Sequence, residues 1–310
     1  KLVHLNLGWN QITSQGARVL ANSPTLNRLE DLVLDSNHIS DSGALDIAKS
    51  KHLNNLAQLY MQDNKISQTG ETALRTMRSR NLLAKKRIEN KLNLNEQRLD
   101  NKDLVSLALY EKLDGIVSLS LRNNHFDYHG IQELVHSPYL KNLRSLNLMS
   151  NAVEDKGLLL LAESPNLSQL ESLNLENTGI TSLGILALSQ SPYLKQLKEL
   201  NLSNNDLGEK GFRILANSGN LKNLIKLSTS GTSVGDAEFQ TVVQSNTLND
   251  LEELEVMGNV ITRKSLDSLA NSSLLSQLKK LDLRRNSLMD ADLIFLADSP
   301  KFQSLETLRF

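Results

Sequence analysis

The chain copies itself every 27 residues. The pattern L-x-x-L-x-L-x-x-N-x-I opens at Leu2 and runs through Leu5, Leu7, Asn10 and Ile12. It reopens at Leu29, Leu56, Ile116, Leu143, Leu170, Leu197, Leu224, Leu251, Leu278 and Leu305, with every step 27 except the 60 between Leu56 and Ile116. A weaker copy fills that gap from Glu89, with Leu92, Leu94, Gln97 and Leu99. The register is therefore eleven whole repeats, a twelfth cut short at Phe310, and a six-residue insertion in repeat 3 near residues 75–91. The second half of the unit is equally regular. Gly is fifteenth at Gly16, Gly43, Gly70, Gly130, Gly157, Gly184 and Gly211, a Leu-Ala pair follows in six repeats, and all five prolines fall at one repeat position.

Each part has a physical reading. Alternating L-x-L has the period of a short strand with one buried face. Gly with apolar residues three, four and eight further on reads as a helix packed closely on that strand, and Ser-Pro stops it, since proline cannot continue the intrahelical ladder. One strand and one helix cannot bury their own apolar faces, so the copies must stack, strands inside and helices outside. The unit resembles the ribonuclease-inhibitor-like class of leucine-rich repeats over essentially the whole chain. G-x-x-x-L-A and the I-x-x-x-G junction resemble its bacterial, GALA-type branch. That resemblance implies an α/β solenoid, a horseshoe with a parallel concave sheet and convex helices, built as one body over residues 1–310. It departs from the ribonuclease inhibitor in its shorter unit and lack of cysteine, so no ligand carries over. Proteins of the bacterial branch include effectors delivered into host cells, which implies a protein-binding role here.

Composition narrows the function. With 34 basic and 35 acidic side chains the net charge is −1, against the sustained basic excess of nucleic-acid and anionic-membrane binders. Zero cysteine excludes disulfides, thiolate metal sites and a cysteine nucleophile. No stretch approaches the roughly 18 apolar residues that span a bilayer. The repeat is already running at the first residue, so the chain reads as part of a longer protein, cytoplasmic or delivered into a host cell. A cofactor is not expected: Gly serves packing, and no phosphate loop, H-E-x-x-H or G-x-S-x-G element occurs. His125, His129 and His136 share one repeat but lack a carboxylate motif.

The ninth-position residues Asn10, Asn37, Asn64, Asn124, Asn151, Asn205, Asn259 and Asn286 are expected to be buried amides that satisfy loop backbone. Partner information should lie on the exposed strand positions three, five, seven and eight. These hold nine acidic and seven basic residues, so no single-sign groove is present to track phosphates. The middle of the stack offers Asn147, Asn174 and Asn201. The N-terminal end offers His4, Trp9, Asp31, Asp35, Tyr60, Gln62 and Asp63, and Trp9 and Tyr60 are the only aromatics at such positions. They read as a protein contact patch, or Trp9 covers the end of the solenoid. Glu253, Glu255, Lys280, Asp282, Arg284, Arg285 and Arg309 read as a solvated mixed-charge face.

The insertion is basic. Arg75, Arg78, Arg80, Lys85, Lys86, Arg87 and Lys91 face only Glu89. It is expected to lengthen the outer helix, either as a secondary surface for acidic partners or anionic headgroups or as a solvated helix. Its strand, Leu92 and Leu94, is expected to pair with Leu59 and Met61 on one side and Leu119 and Leu121 on the other. The function expected is a non-enzymatic protein-interaction scaffold. The alternative is the substrate-recognition part of a ubiquitin-ligase or GTPase-activating system whose active segment lies elsewhere.

Overall fold

The computed structural model of the protein describes residues 2–310, apart from the side chain of residue 298. Repeats alternate strand and helix in the expected register: β1 (His4–Asn6), α1 (Ser14–Ala21), β2 (Asp31–Val33), α2 (Asp41–Ala48), β3 (Gln58–Tyr60) and α3 (Gln68–Lys86). The short β4 (Arg87–Ile88) follows, then β5 (Lys91–Asn93), α4 (Asn101–Ala108), β6 (Ser118–Ser120), α5 (Tyr128–Val135), β7 (Ser145–Asn147), α6 (Glu154–Ala162), β8 (Ser172–Asn174) and α7 (Ser182–Gln190). The series ends with β9 (Glu199–Asn201), α8 (Gly208–Ala216), β10 (Lys226–Ser228), α9 (Asp236–Val243), β11 (Glu253–Glu255), α10 (Arg263–Ala270), β12 (Lys280–Asp282), α11 (Asp290–Asp298) and β13 (Thr307–Arg309). Successive repeat strands pair in parallel, Leu5 beside Leu32 and Leu146 beside Leu173. The strand leucines are buried in β2 and from β5 to β12, and partly open in β1 and β3.

Side chains tie each repeat to the next. Asn151 donates through Nδ2 to the carbonyls of Leu121 (3.0 Å) and Leu148 (2.9 Å), and its Oδ1 accepts from the Asn124 amide (3.0 Å). Thr178 and Thr232 donate their hydroxyls to Leu175 and Thr229 in place of an amide. At the helix starts, Asp236 accepts from the Thr262 amide (2.9 Å) and hydroxyl (2.6 Å) and from the Ser265 hydroxyl (2.5 Å) of the following repeat. Asp41 and Asp155 do the same for Ser67 and Thr181. At the helix ends, Ser50, Ser137, Ser164 and Ser191 donate to carbonyls of the preceding repeat. The fifteenth-position glycine is a close approach: a Cβ on Gly43 would lie 2.9 Å from the Cα of Ser14 in the neighbouring helix.

The sheet is not continuous, which corrects the pairing expected at the insertion. β1, β2 and β3 form one three-stranded sheet, while β4 to β13 form a second of ten strands. β5 pairs with β6, Leu92 beside Leu119, but its other side takes β4 in antiparallel register, Arg87 opposite Leu92. The cause is α3, which runs 19 residues where the other helices run eight or nine. An unbroken stack would set Gln58 beside Lys91. Instead the loop after β5 abuts β3, with Gln58 Nε2 3.4 Å from the Gln97 carbonyl. Two apolar clusters result, and α3 feeds both, Leu74 and Met77 into the first, Leu82 and Leu83 into the second.

Candidate functional site

Strand exits are built alike. The eighth residue of each repeat takes a left-handed backbone, from Trp9 (φ 60°) and Ser36 (54°) through Asp63 (54°) and Glu96 (60°) to Gly258 (68°) and Arg285 (56°). A fifth-position Asn supports that turn by accepting the amide two residues on: Asn147 from Met149 (3.0 Å), Asn174 from Glu176 (2.9 Å) and Asn201 from Ser203 (3.0 Å). These are Asx turns, which free the chain to leave the sheet. The polar middle of the concave face therefore has a backbone task.

The sequence gives Asn, Ser, Asp or Gly at most left-handed positions, the residues that tolerate positive φ. Trp9, Glu96 and Arg285 are the exceptions among the eighth positions; Trp9 is the aromatic one, and its residue surface is 84% exposed. It packs on no core, and its amide still donates to the Asp35 carbonyl at 2.9 Å. The other residues named with it share the three-stranded sheet or its exits. His4 Nδ1 lies 3.7 Å from Asp31, Asp35 accepts from the Gln62 amide at 2.7 Å, and Asp63 accepts from the Ser36 hydroxyl at 3.3 Å. The Tyr60 hydroxyl accepts from Arg98 at 2.6 Å across the interruption.

The basic side chains of the insertion are dispersed: some turn inward and others pair with neighbouring repeats. Arg75 and Arg78 turn inward. Arg75 contacts Asp100 (2.7 Å) and Asp103 (3.0 Å), and Arg78 contacts Asp103 (2.6 Å), with the Asp103 side chain only 4% exposed. Arg78 also donates to the carbonyls of Ala57 (3.1 Å) and Gln97 (2.5 Å), one from each side of the break. Its guanidinium thus replaces the backbone ladder that the insertion removed. Lys85 pairs with Glu30 (2.8 Å), Arg87 caps the carbonyls of Glu89 and Lys112, and one Arg80 guanidinium nitrogen is buried. Lys86 remains half-buried at the helix end. Burial works to raise the Asp100 carboxyl pKa, but the Asp103 amide and the Arg75 guanidinium outweigh it and hold the group below the ordinary carboxylate value. No periodicity could announce this cluster, because Asp100 and Asp103 also read as an ordinary helix-start pair, which they form as a capping box.

At the C-terminal end the mixed charges neutralise one another. Lys226 reaches Glu255 (2.7 Å), Lys280 reaches Glu253 (2.5 Å) and Arg284 reaches Asp282 (2.6 Å). A hydrogen bond from Lys280 holds the Glu253 carboxyl below its ordinary pKa. His129 Nδ1 sits 3.0 Å from Asp127, and His136 Nδ1 2.6 Å from the Gln132 carbonyl. Among the described residues no group of three or more His, Cys, Asp or Glu side chains is placed to hold a metal ion. No described helix is long and apolar enough to cross a membrane.

Sequence profiles of leucine-rich repeats match residues 1–21, 26–48 and 139–162, and a second such profile matches 196–218. No curated protein sequence matches the chain. Among solved structures, an internalin from Listeria monocytogenes superposes with a TM-score of 0.42 at 19% identity, over 100% of this chain and 87% of the other. A chain of the mouse RP105/MD-1 complex superposes with a TM-score of 0.39 at 17% identity, over 99% of this chain and 42% of the other.

Proposed function

Because this chain is a leucine-rich-repeat protein, we propose that it works as a non-enzymatic scaffold holding one protein partner on its N-terminal concave surface. The observation that carries the reading is Trp9, an exposed indole held on a left-handed backbone that a small residue would occupy at lower cost. Aromatic side chains supply desolvated anchor area at low entropy cost, and a fixed sheet reduces the ordering needed on association. Asp31, Asp35 and Asp63 flank Trp9 and Tyr60 and favour a partner presenting Lys or Arg, chiefly by speeding encounter and rejecting the wrong charge. The host-directed role of the bacterial repeat branch belongs to the same reading.

Titration of the partner against Trp9→Ala, Tyr60→Ala, Asn147→Ala and Asn174→Ala tests it. Losing a true anchor costs roughly 2 kcal/mol or more, about thirtyfold in affinity, and each Asn change costs under about 0.5 kcal/mol. The assignment fails if both aromatic variants bind like the parent while the Asn variants do not.

A further inference from the structure

The interruption leaves a piece of sheet edge unpaired. At intact junctions the sixth-position amide donates to the next repeat, Leu7 to Val33, Leu34 to Tyr60 and Leu94 to Ser120, each at 2.8 Å. The eighth-position amide does likewise, Ser36 to Gln62 at 2.8 Å and Glu96 to Arg122 at 2.9 Å. Met61 and Asp63 hold these positions in repeat 3, and among the described residues neither amide meets a backbone acceptor. In intact repeats both slots donate to the same neighbour, Leu34 and Ser36 to repeat 3 and Leu94 and Glu96 to repeat 5, so the two open amides belong to the same side. That side is a cavity of about 440 Å³, bounded by Leu59 to Asn64, by Leu74 and Arg75 of α3, and by Arg98 and His125. The volume is in the range of ordinary ligand pockets.

The lining has a definite chemistry. Leu59 and Met61 are half-buried where their counterparts Leu32 and Leu34 are wholly closed, so the floor is apolar. Three carboxylates in the wall are paired with cations, Asp100 and Asp103 by Arg75 and Arg78 and Glu71 by Lys102 at 3.0 Å, while Asp63 is exposed and accepts only from the Ser36 hydroxyl. Arg98 is exposed, and its guanidinium meets only the neutral Tyr60 hydroxyl, with no ion pair among the described residues.

We propose that this break receives an extended acidic segment of a partner protein, added as a short strand beside Met61 to Asp63. Its carbonyls take the two open amides, an apolar side chain covers Leu59 and Met61, and a carboxylate displaces the Tyr60 hydroxyl as the partner of Arg98. Strand addition draws affinity from main-chain bonds and specificity from alternate side chains. The site uses the sheet edge and selects negative charge, so it goes beyond the concave-surface reading and stands without it.

The test selects a displayed library of random heptapeptides on the intact chain and maps backbone hydrogen exchange with the enriched peptides bound. Expected are peptides alternating β-branched or apolar residues with Asp or Glu, slowed exchange at the Met61 and Asp63 amides, about tenfold weaker binding to Arg98→Glu, and unchanged binding to Trp9→Ala. No enrichment over a Gly-Ser control overturns the proposal. So do peptides that leave those amides unprotected or bind Arg98→Glu like the parent. Peptides lost with Trp9→Ala but kept by Arg98→Glu belong to the concave surface, and they refute the edge site alone.

Discussion

At the scale of single residues, the same side chain type does different work at different repeat positions, and exposure separates the cases. Asn151 satisfies three loop groups in the interior, so Asn151→Ala strands buried polar atoms and is expected to cost about 3 kcal/mol in urea unfolding. Trp9 has the opposite profile. It is the only tryptophan and 84% exposed, so the intrinsic emission of the free protein should sit near that of solvated indole and shift to the blue when the proposed partner covers it. Trp9→Gly at the same left-handed turn should leave thermal stability unchanged or raise it by up to about 1 kcal/mol, since glycine adopts that backbone without a Cβ clash. A large drop in melting temperature would mean that the indole caps the solenoid. Position was legible in the sequence for these residues, because the repeat assigns each a slot. The left-handed turn at the eighth slot was not, since the residues that fill it also fill any loop, and so the backbone task of the fifth-slot Asn was not readable either.

At the scale of elements, carboxylates join one helix start to the next, and acid should reveal them. Burial works to raise the Asp236 carboxyl pKa, but hydrogen bonds from Ser265 and Thr262 outweigh it and keep the group below its ordinary value. A carboxyl depressed in the folded state contributes stability above its unfolded pKa of about 3.9, and that contribution is lost as pH falls through the folded value. Asp236→Asn should therefore lower the urea midpoint at pH 7 and converge on the parent in strong acid; an equal deficit at every pH would assign the effect to packing. The cluster on α3 and α4 is a sharper case. Asp103→Ala leaves Arg78 and Arg75 without their shared buried partner, and removing one side of such a pair costs about 3 to 5 kcal/mol. Helix and strand spacing were readable throughout the repeats. The extra length of α3 was readable too, but its result was not, because hydrophobic period fixes which face is buried and says nothing about how far a longer helix displaces the strand that follows.

At the scale of the whole molecule, nearest-neighbour contacts carry stability from repeat to repeat, as in any stack. The chain departs from that rule once, between β3 and β5, where side chains of Arg75 and Arg78 stand in for paired backbone. Hydrogen exchange should be slowest in the strands from β6 to β10 and faster in β1 to β3, with Asp103→Ala widening the difference; uniform protection across both sheets would show the junction to be as cooperative as the rest. The same feature sets how the protein bears load. A parallel ladder resists tension with many bonds at once, whereas this junction lacks that ladder and is held by side-chain contacts and the packing of α3 on α4. Pulled from its two ends, the molecule should yield there first, giving a small early rip before the main unravelling, and Asp103→Ala should lower the force of that first event alone.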